Sequence, residues 1–363
     1  MNLVRLMEEA GQYRPFVLIP NGSQALLPSP HLRCPVLSMV VRDPALPVHP
    51  VRARIAFFLT LPLVLWKLRL LLARHRILTI NCIFPGTDSL TYVLLRRFRL
   101  FSGKVIFTLQ GNDIKVALDT AGFSRFLARQ AFRLADRIVA CSFGLREDLL
   151  RLEPQCANKS VVIHNSIDFE AFLALAPPDY QLPDNLRNVP FLLNVGRYEH
   201  KKGQDILICA FEQIALDFPS LHLVMIGATG TGIEQIRRKV CGSSFTERIV
   251  MLENIPHEAI PVFLRAALLF VLPSRREGLP FALLEAAACR KAVVAAACVG
   301  VPELIQDGVT GRLVPVDNSD ALALAISDLL RNDHLREQFA ETLHELVGRE
   351  FTWQAAFRKY INL

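Results

Sequence analysis

The stretch LLFVLPSRREGLPFALLEAAA, residues Leu268–Ala288, decides the fold. Its opening, Leu268–Leu272, is apolar at every position and runs into Pro273-Ser274. A run that short and continuous does not make an amphipathic helix; it reads as a strand buried in a parallel sheet. Ser274–Gly278 is then a polar turn. Pro280 suits the first turn of a helix, where its missing N–H costs nothing, and Phe281–Ala288 is rich in helix formers. The expected unit is strand, tight turn, helix. Two carboxylates fall in it with seven residues between them, Glu277 in the turn and Glu285 inside the helix. A helix N-terminus presents unpaired amides and partial positive charge, which suit a phosphate. Glu277 then stands where it can accept hydrogen bonds from hydroxyls of a group carried on that phosphate, and Glu285 where it can take those of a ribose. The same two acids also fit a favourable helix-end charge and a solvated helix position.

A second unit of the same kind lies upstream. Phe191–Val195 reads as a buried strand, followed by Gly196-Arg197-Tyr198-Glu199-His200-Lys201-Lys202-Gly203 and a helix over 204–217. A fixed guanidinium at Arg197 and a mobile ammonium at Lys202, on one loop before a helix, suit the two sides of a diphosphate. Leu221–Ile226 is a further strand, leading into Gly227-Ala228-Thr229-Gly230-Thr231-Gly232. That order, G-x-x-G-x-G with no following Lys-Ser/Thr, meets neither the dinucleotide nor the P-loop fingerprint.

The run from Glu277 to Ile326 resembles the C-terminal half of the retaining glycosyltransferases of family 4, whose signature is E-x7-E in this strand–turn–helix setting. Residues 196–203 resemble that family's G-R-x-x-x-x-K-G loop. The likeness covers the chain from about residue 80 to its end and is dense over 194–326. It implies an α/β chain of two doubly wound, Rossmann-like domains facing a cleft, the GT-B fold. It implies a nucleotide-sugar donor whose pyrophosphate is held by Arg197 and Lys202, with Glu277 orienting the sugar and Glu285 the ribose. Gly278, Leu279 and Gly227 are implied donor contacts, Ile255-Pro256 a place for the nucleobase, and no metal or other cofactor is implied. Transfer with retention of configuration, to a glycan or lipid-linked acceptor, is the implied activity. Gly300-Val301-Pro302-Glu303 resembles the family's G-G-x-x-E turn, with Val301 for the second glycine.

The first half carries a weaker likeness. Lys104–Leu109 is an expected strand leading into Gln110-Gly111-Asn112-Asp113, similar to the family's T-x-H-G-x-D loop with Thr108, Gly111 and Asp113 in place. Gln110 stands where histidine is usual; glutamine donates and accepts hydrogen bonds but carries no titratable proton. Gln110 and Gly111 are therefore expected to position the donor, or to form a plain turn. Val161–Asp168 resembles the strand and N-G-V-D turn before the hinge, with His164 structural. Ser142 is an expected helix cap. Ahead of this, Phe16–Ile19 reads as a strand after a helix end and a turn at Gly11. The family's first strand and glycine-rich loop are missing, so an incomplete N-terminal domain is expected. The expected division is an acceptor-side domain over 1–178, a proline-rich linker within 176–189, a donor domain over 190–345 and a terminal helix over 346–363 crossing back to the first.

Composition sets the remaining bounds. A chain of 363 residues has room for two domains. Hydrophobic residues make up 52%, and mean hydropathy is +0.30, which suits buried parallel sheets or contact with a membrane. A formal charge of +7 favours anionic partners, and nothing resembles a nucleic-acid module. The eight cysteines form no C-x-x-C pair and have no metal-ligand spacing with His or acids, so reduced thiols of a cytoplasmic protein are expected. Residues 51–76, VRARIAFFLTLPLVLWKLRLLLARHR, are the most apolar segment. Ile55–Trp66 is twelve residues, short of the about 20 a span needs. The segment reads as a helix packed on the first sheet, or as one resting peripherally on an anionic membrane face through its basic margin. A sugar-nucleotide-binding protein without catalysis, and a phosphorylase or epimerase on the same fold, are the competing readings.

Overall fold

The structure, a computed structural model, describes residues 15–20, 35–44, 50–119, 121–174 and 180–363. Two compact units form, one of Met1–Ile163 with Phe357–Leu363 and the other of His164–Ala356. In the first, β1 (Val17–Pro20) and β2 (Val36–Met39) make a parallel pair. A four-stranded parallel sheet follows in chain order, β3 (Thr79–Ile83), β4 (Lys104–Leu109), β5 (Arg137–Ala140) and β6 (Ser160–Val162). Every β4 residue after Lys104 is buried, as a strand covered on both faces requires. Ser142 caps the helix Phe143–Leu152 through its Oγ, which accepts from the amide of Leu145 at 3.1 Å. The last residues return to this unit: Lys104 Nζ donates to the Leu363 carbonyl at 2.6 Å.

The second unit contains a six-stranded parallel sheet. Its strands are β7 (Phe191–Val195), β8 (His222–Gly227), β9 (Ile249–Glu253), β10 (Leu269–Leu272), β11 (Val293–Ala296) and β12 (Arg312–Val314). They lie in the order β12-β11-β10-β7-β8-β9. The chain winds outward from β7 through β8 to β9, then returns to place β10 on the other side of β7. That reversal makes β7/β10 the switch point of the sheet, where loops leaving the strand ends diverge and open a crevice. Leu192 of β7 pairs with Leu269 of β10, and the buried Asn194 side chain donates to the Val271 carbonyl at 2.9 Å, fixing the two strands together.

Several expectations are adjusted by the packing. The units divide at 163/164, ahead of the proline-rich stretch, because Asn165 Nδ2 donates to the Leu279 carbonyl at 2.8 Å and Phe172 is buried within the second unit. Proline content marks the loop, whereas contacts decide which unit holds its approach. Residues 346–350 finish the helix Asp333–Glu350 of the second unit, and a separate helix, Trp353–Tyr360, follows. Pro280 is the residue before the helix Phe281–Ala288 and not inside its first turn. The expected helix end and turn near Gly11, and residues 176–179 of the linker, lie outside the described residues.

Candidate functional site

The loops after β7 and β10 leave neighbouring strands at the switch point, so 75 residues of sequence separation collapse to a hydrogen bond. Lys202 Nζ donates to Glu277 Oε1 at 2.7 Å, and the Ser274 hydroxyl donates to the same oxygen at 2.7 Å. A lysine on a polar loop is ordinarily solvated, yet the Lys202 side chain is only 19% exposed and that of Glu277 only 10%. The strand register draws the cation into the acid's pocket, which is the physical reason for the difference. Arg197 is nearer that norm, 59% exposed, with Nη1 3.2 Å from Glu199 Oε1.

The β7 loop is fixed from three sides. Tyr198 is fully buried, and its one hydroxyl proton is shared between the carbonyls of Met225 at 2.8 Å and Leu252 at 3.2 Å, anchoring the loop to β8 and β9. Gln204 Nε2 donates to the carbonyls of Gly196 and Arg197, each at 3.1 Å. Arg275 grips Asp205 with both Nη atoms at 2.8 Å, while its amide donates to the Lys201 carbonyl at 2.8 Å. Burial alone would raise the Asp205 pKa, but the Arg275 hydrogen bonds and charge outweigh it and hold the carboxylate below its ordinary range. A bidentate Arg–carboxylate fork sets orientation as well as distance, so Arg275 locks the Glu277 loop to the Lys202 loop.

Two glycines permit this closeness. Gly203 has φ 69°, and a Cβ there would lie 2.0 Å from the Pro273 carbonyl oxygen. Gly203→Ala therefore meets left-handed strain and a backbone collision together. We expect a loss of about 2–3 kcal/mol, read as a fall of roughly 5–10 °C in the melting of the second unit. An unchanged melting temperature would mean that the two loops are not held in contact. Gly227, at the end of β8, would place a Cβ 2.3 Å from the Gly196 carbonyl oxygen. It is a close-approach position, and its part in a site is to let the loops meet.

Glu285 is not a solvated helix residue. Its side chain is 13% exposed, and Oε1 lies 2.8 Å from His257 Nε2. That hydrogen bond is the main influence raising the His257 pKa, with burial opposing it. The charged pair is thus complete below the ordinary histidine range and is lost as pH rises through the raised value. His257 directly follows Ile255-Pro256, so the segment expected to meet a nucleobase lies beside the acid expected to meet a ribose. Gly278 and Leu279 are buried; the Leu279 carbonyl is taken by Asn165. His164 Nε2 lies 2.9 Å from Glu303 Oε2, on the turn opened by Gly300 at φ 77°.

Gln110 and Gly111 belong to the first unit. There the Asp113 carboxylate accepts from the amides of Gln110 and Gly111, each at 2.8 Å, and of Ile114 at 3.1 Å. Burial raises the Asp113 pKa, with these amides opposing it. Asp113 thus reaches back over the two residues Gln110 and Gly111 and fixes the loop that opens the helix Asn112–Asp119, with Gly111 at φ 125°. Among the described residues no group of three or more His, Cys, Asp or Glu is placed to hold a metal, and the described cysteines form no disulfide with one another. Tyr198, Gln204 and Arg275 escape sequence reading because a buried Tyr, Gln or Arg in a polar loop carries no periodic signal.

Residues 183–345 match the family model "Glycosyl transferases group 1", and residues 1–171 match "Glycosyltransferase Family 4". The alpha-maltose-1-phosphate synthase of Mycolicibacterium smegmatis is 33% identical, over 63% of this chain and 63% of that protein. The GDP-mannose-dependent alpha-(1-6)-phosphatidylinositol monomannoside mannosyltransferase of the same organism is 34% identical over 39% of this chain and 38% of its own. The chain spans less than two thirds of the length of the curated relatives it matches, 63%, 64% and 60% for three of them. Among solved structures, sucrose-phosphate synthase from Thermosynechococcus elongatus superposes with a TM-score of 0.76 at 22% identity, over 99% of this chain and 90% of that one. HepE of Anabaena in complex with UDP does so at 0.72 and 18% identity, over 90% and 85%. With one model matched to each half of the chain and two parallel α/β units in the structure, the chain belongs to the glycosyltransferases of family 4, with the GT-B fold.

Proposed function

We propose that the chain transfers a glycosyl group from a nucleoside diphosphate sugar to a hydroxyl acceptor, with retention of configuration. The observation that carries this reading is the Lys202–Glu277 contact at the switch point, 2.7 Å between the leaving-group cation and the sugar-binding acid. Lys202 has further N–H donors for a β-phosphate oxygen while one is engaged by Glu277, and the exposed Arg197 offers a planar fork to the diphosphate. Charge building on the departing diphosphate is then met by preorganised cations and by the amides at the start of the helix Phe281–Ala288. Glu277 orients sugar hydroxyls. Glu285 exchanges His257 for ribose hydroxyls. Gln110 enters on its motif alone, as a hydrogen-bonding group for the donor with no proton-transfer role.

HepE was solved with UDP and UDP-glucose, and a mannosyltransferase relative is named as GDP-mannose-dependent, so uridine and guanosine diphosphate sugars are the donor classes to try first. Glutamine at 110 favours the competing reading of a sugar-nucleotide-binding protein without turnover. Incubation with UDP- and GDP-sugars, with and without glycan and lipid-linked acceptors, separates the two by release of the diphosphate. Acceptor-dependent release with an α-linked product from an α-linked donor is expected. Binding without release for every donor would overturn the catalytic reading.

A further inference from the structure

The helix Pro50–Arg74 carries an apolar stripe on the side away from its packing. Phe57, Leu65, Leu68 and Leu72 are buried and face inward at helical spacing, and the helix packs on the neighbouring helix Leu90–Arg97. On the opposite side Val51, Ile55, Leu59, Leu63, Trp66 and Leu70 are all exposed, Leu59 by 76% and Trp66 by 56%. They recur at intervals of three or four residues and so form one continuous face about 29 Å long. An ordinary surface helix is polar on that side. Charge marks this one further: its five ionisable residues, Arg52, Arg54, Lys67, Arg69 and Arg74, are all basic.

Beside the packed side of this helix, the helix Gly122–Leu134 adds Phe123 and Phe126, which are exposed and stacked with centroids 6.0 Å apart. Arg54 ties the two helices by lying 4.8 Å from the Phe123 ring centroid. Phe126 also lines, with Arg125, Arg129 and Arg133, a depression of about 190 Å³, in which Arg129 and Arg133 are paired with the buried Glu153 and Arg125 adds a basic group. An apolar strip with a tryptophan in it and a margin of one charge sign is the chemistry of an interfacial helix lying in the headgroup plane.

We infer that this face of the first unit rests on an anionic bilayer. The helix is long and apolar enough by composition to cross a membrane. Crossing, however, would strip Phe57, Leu65, Leu68 and Leu72 from their packing and draw Lys67 and Arg69 into hydrocarbon. Pairing with a second copy through the same face would bring two sets of five positive charges together. Anionic lipid satisfies both the apolar strip and the charge, and the inference stands whatever donor the second unit takes.

The test uses the full chain with Trp353→Phe, which leaves Trp66 as the single tryptophan of the two in the sequence. Trp353 Nε1 is buried without a hydrogen-bond partner, so phenylalanine removes no such bond. Sedimentation with phosphatidylcholine vesicles containing about 30% phosphatidylglycerol, and not with phosphatidylcholine alone, is expected in low salt, because each basic residue near an anionic surface strengthens binding by about fivefold. Raising salt from about 0.1 M to about 0.5 M should release the protein, and brominated lipid should quench Trp66 while it is bound. Leu59→Glu with Leu63→Glu, both at exposed positions, should abolish the quenching while the melting temperature holds. Arg52→Gln with Arg69→Gln should weaken binding by roughly 20-fold. Failure to bind at low salt, release by detergent alone, or concentration-dependent dimerisation that shields Trp66 without lipid would each overturn the inference.

Discussion

Lys202→Ala is expected to lower turnover by roughly 10²–10³-fold, the loss seen when one preorganised group facing developing charge is removed. Lys202 lies where the β7 and β10 loops meet, and it is the partner of a carboxylate that is only 10% exposed. Removal takes the cation from the departing diphosphate and leaves Glu277 with Ser274 as its remaining partner in this contact. The Arg275–Asp205 fork and the Tyr198 anchor do not pass through Lys202, so the loops stay in register. The expected result is a large fall in kcat beside a loss of about 1–3 kcal/mol in stability, read by thermal unfolding. Turnover within roughly twofold of the parent would remove Lys202 from the leaving-group role.

Glu277→Gln is expected to lower turnover by roughly 10–100-fold for a different reason. Glutamine keeps an oxygen for the Ser274 hydroxyl but loses the charge that holds Lys202 and strengthens hydrogen bonds to sugar hydroxyls. Glu285→Gln acts elsewhere. It breaks the charged part of the His257 pair and weakens the grip on a ribose, so its effect is expected in donor affinity more than in kcat at saturation. The two substitutions together distinguish a sugar-facing acid from a nucleoside-facing one.

The parts of the fold written in periodicity are the parts that sequence reading recovers. The run at 191–195 is a strand, as is that at 268–272 from Leu269 onward, and the turns after them carry the charged residues expected there. Adjacency of those turns depends on β10 pairing with β7, which no local pattern states; it followed from the family likeness. Arg275 looks like one more surface charge in SRRE, and only the packing shows that it fastens Asp205. The burial of Lys202 and Glu285 is not legible in the sequence because their strongest contacts come from distant positions, Glu277 and His257. In the helix Pro50–Arg74 apolar residues lie on every side, so composition alone does not tell the packed face from the exposed one.

The most direct test of the second unit as a nucleotide-sugar site is calorimetric titration of the parent, Glu277→Gln and Glu285→Gln with UDP and GDP and with the corresponding sugar donors. The account predicts that Glu285→Gln weakens the free diphosphate and the donor alike, by about the 1.5–3 kcal/mol of a charged hydrogen bond. Glu277→Gln should leave the free diphosphate bound nearly as well as the parent does and weaken only the sugar-bearing donor. Equal affinities for both ligands across all three proteins would contradict the account, because Glu277 and Glu285 would then act only as helix-end charges worth about 0.3–1 kcal/mol each.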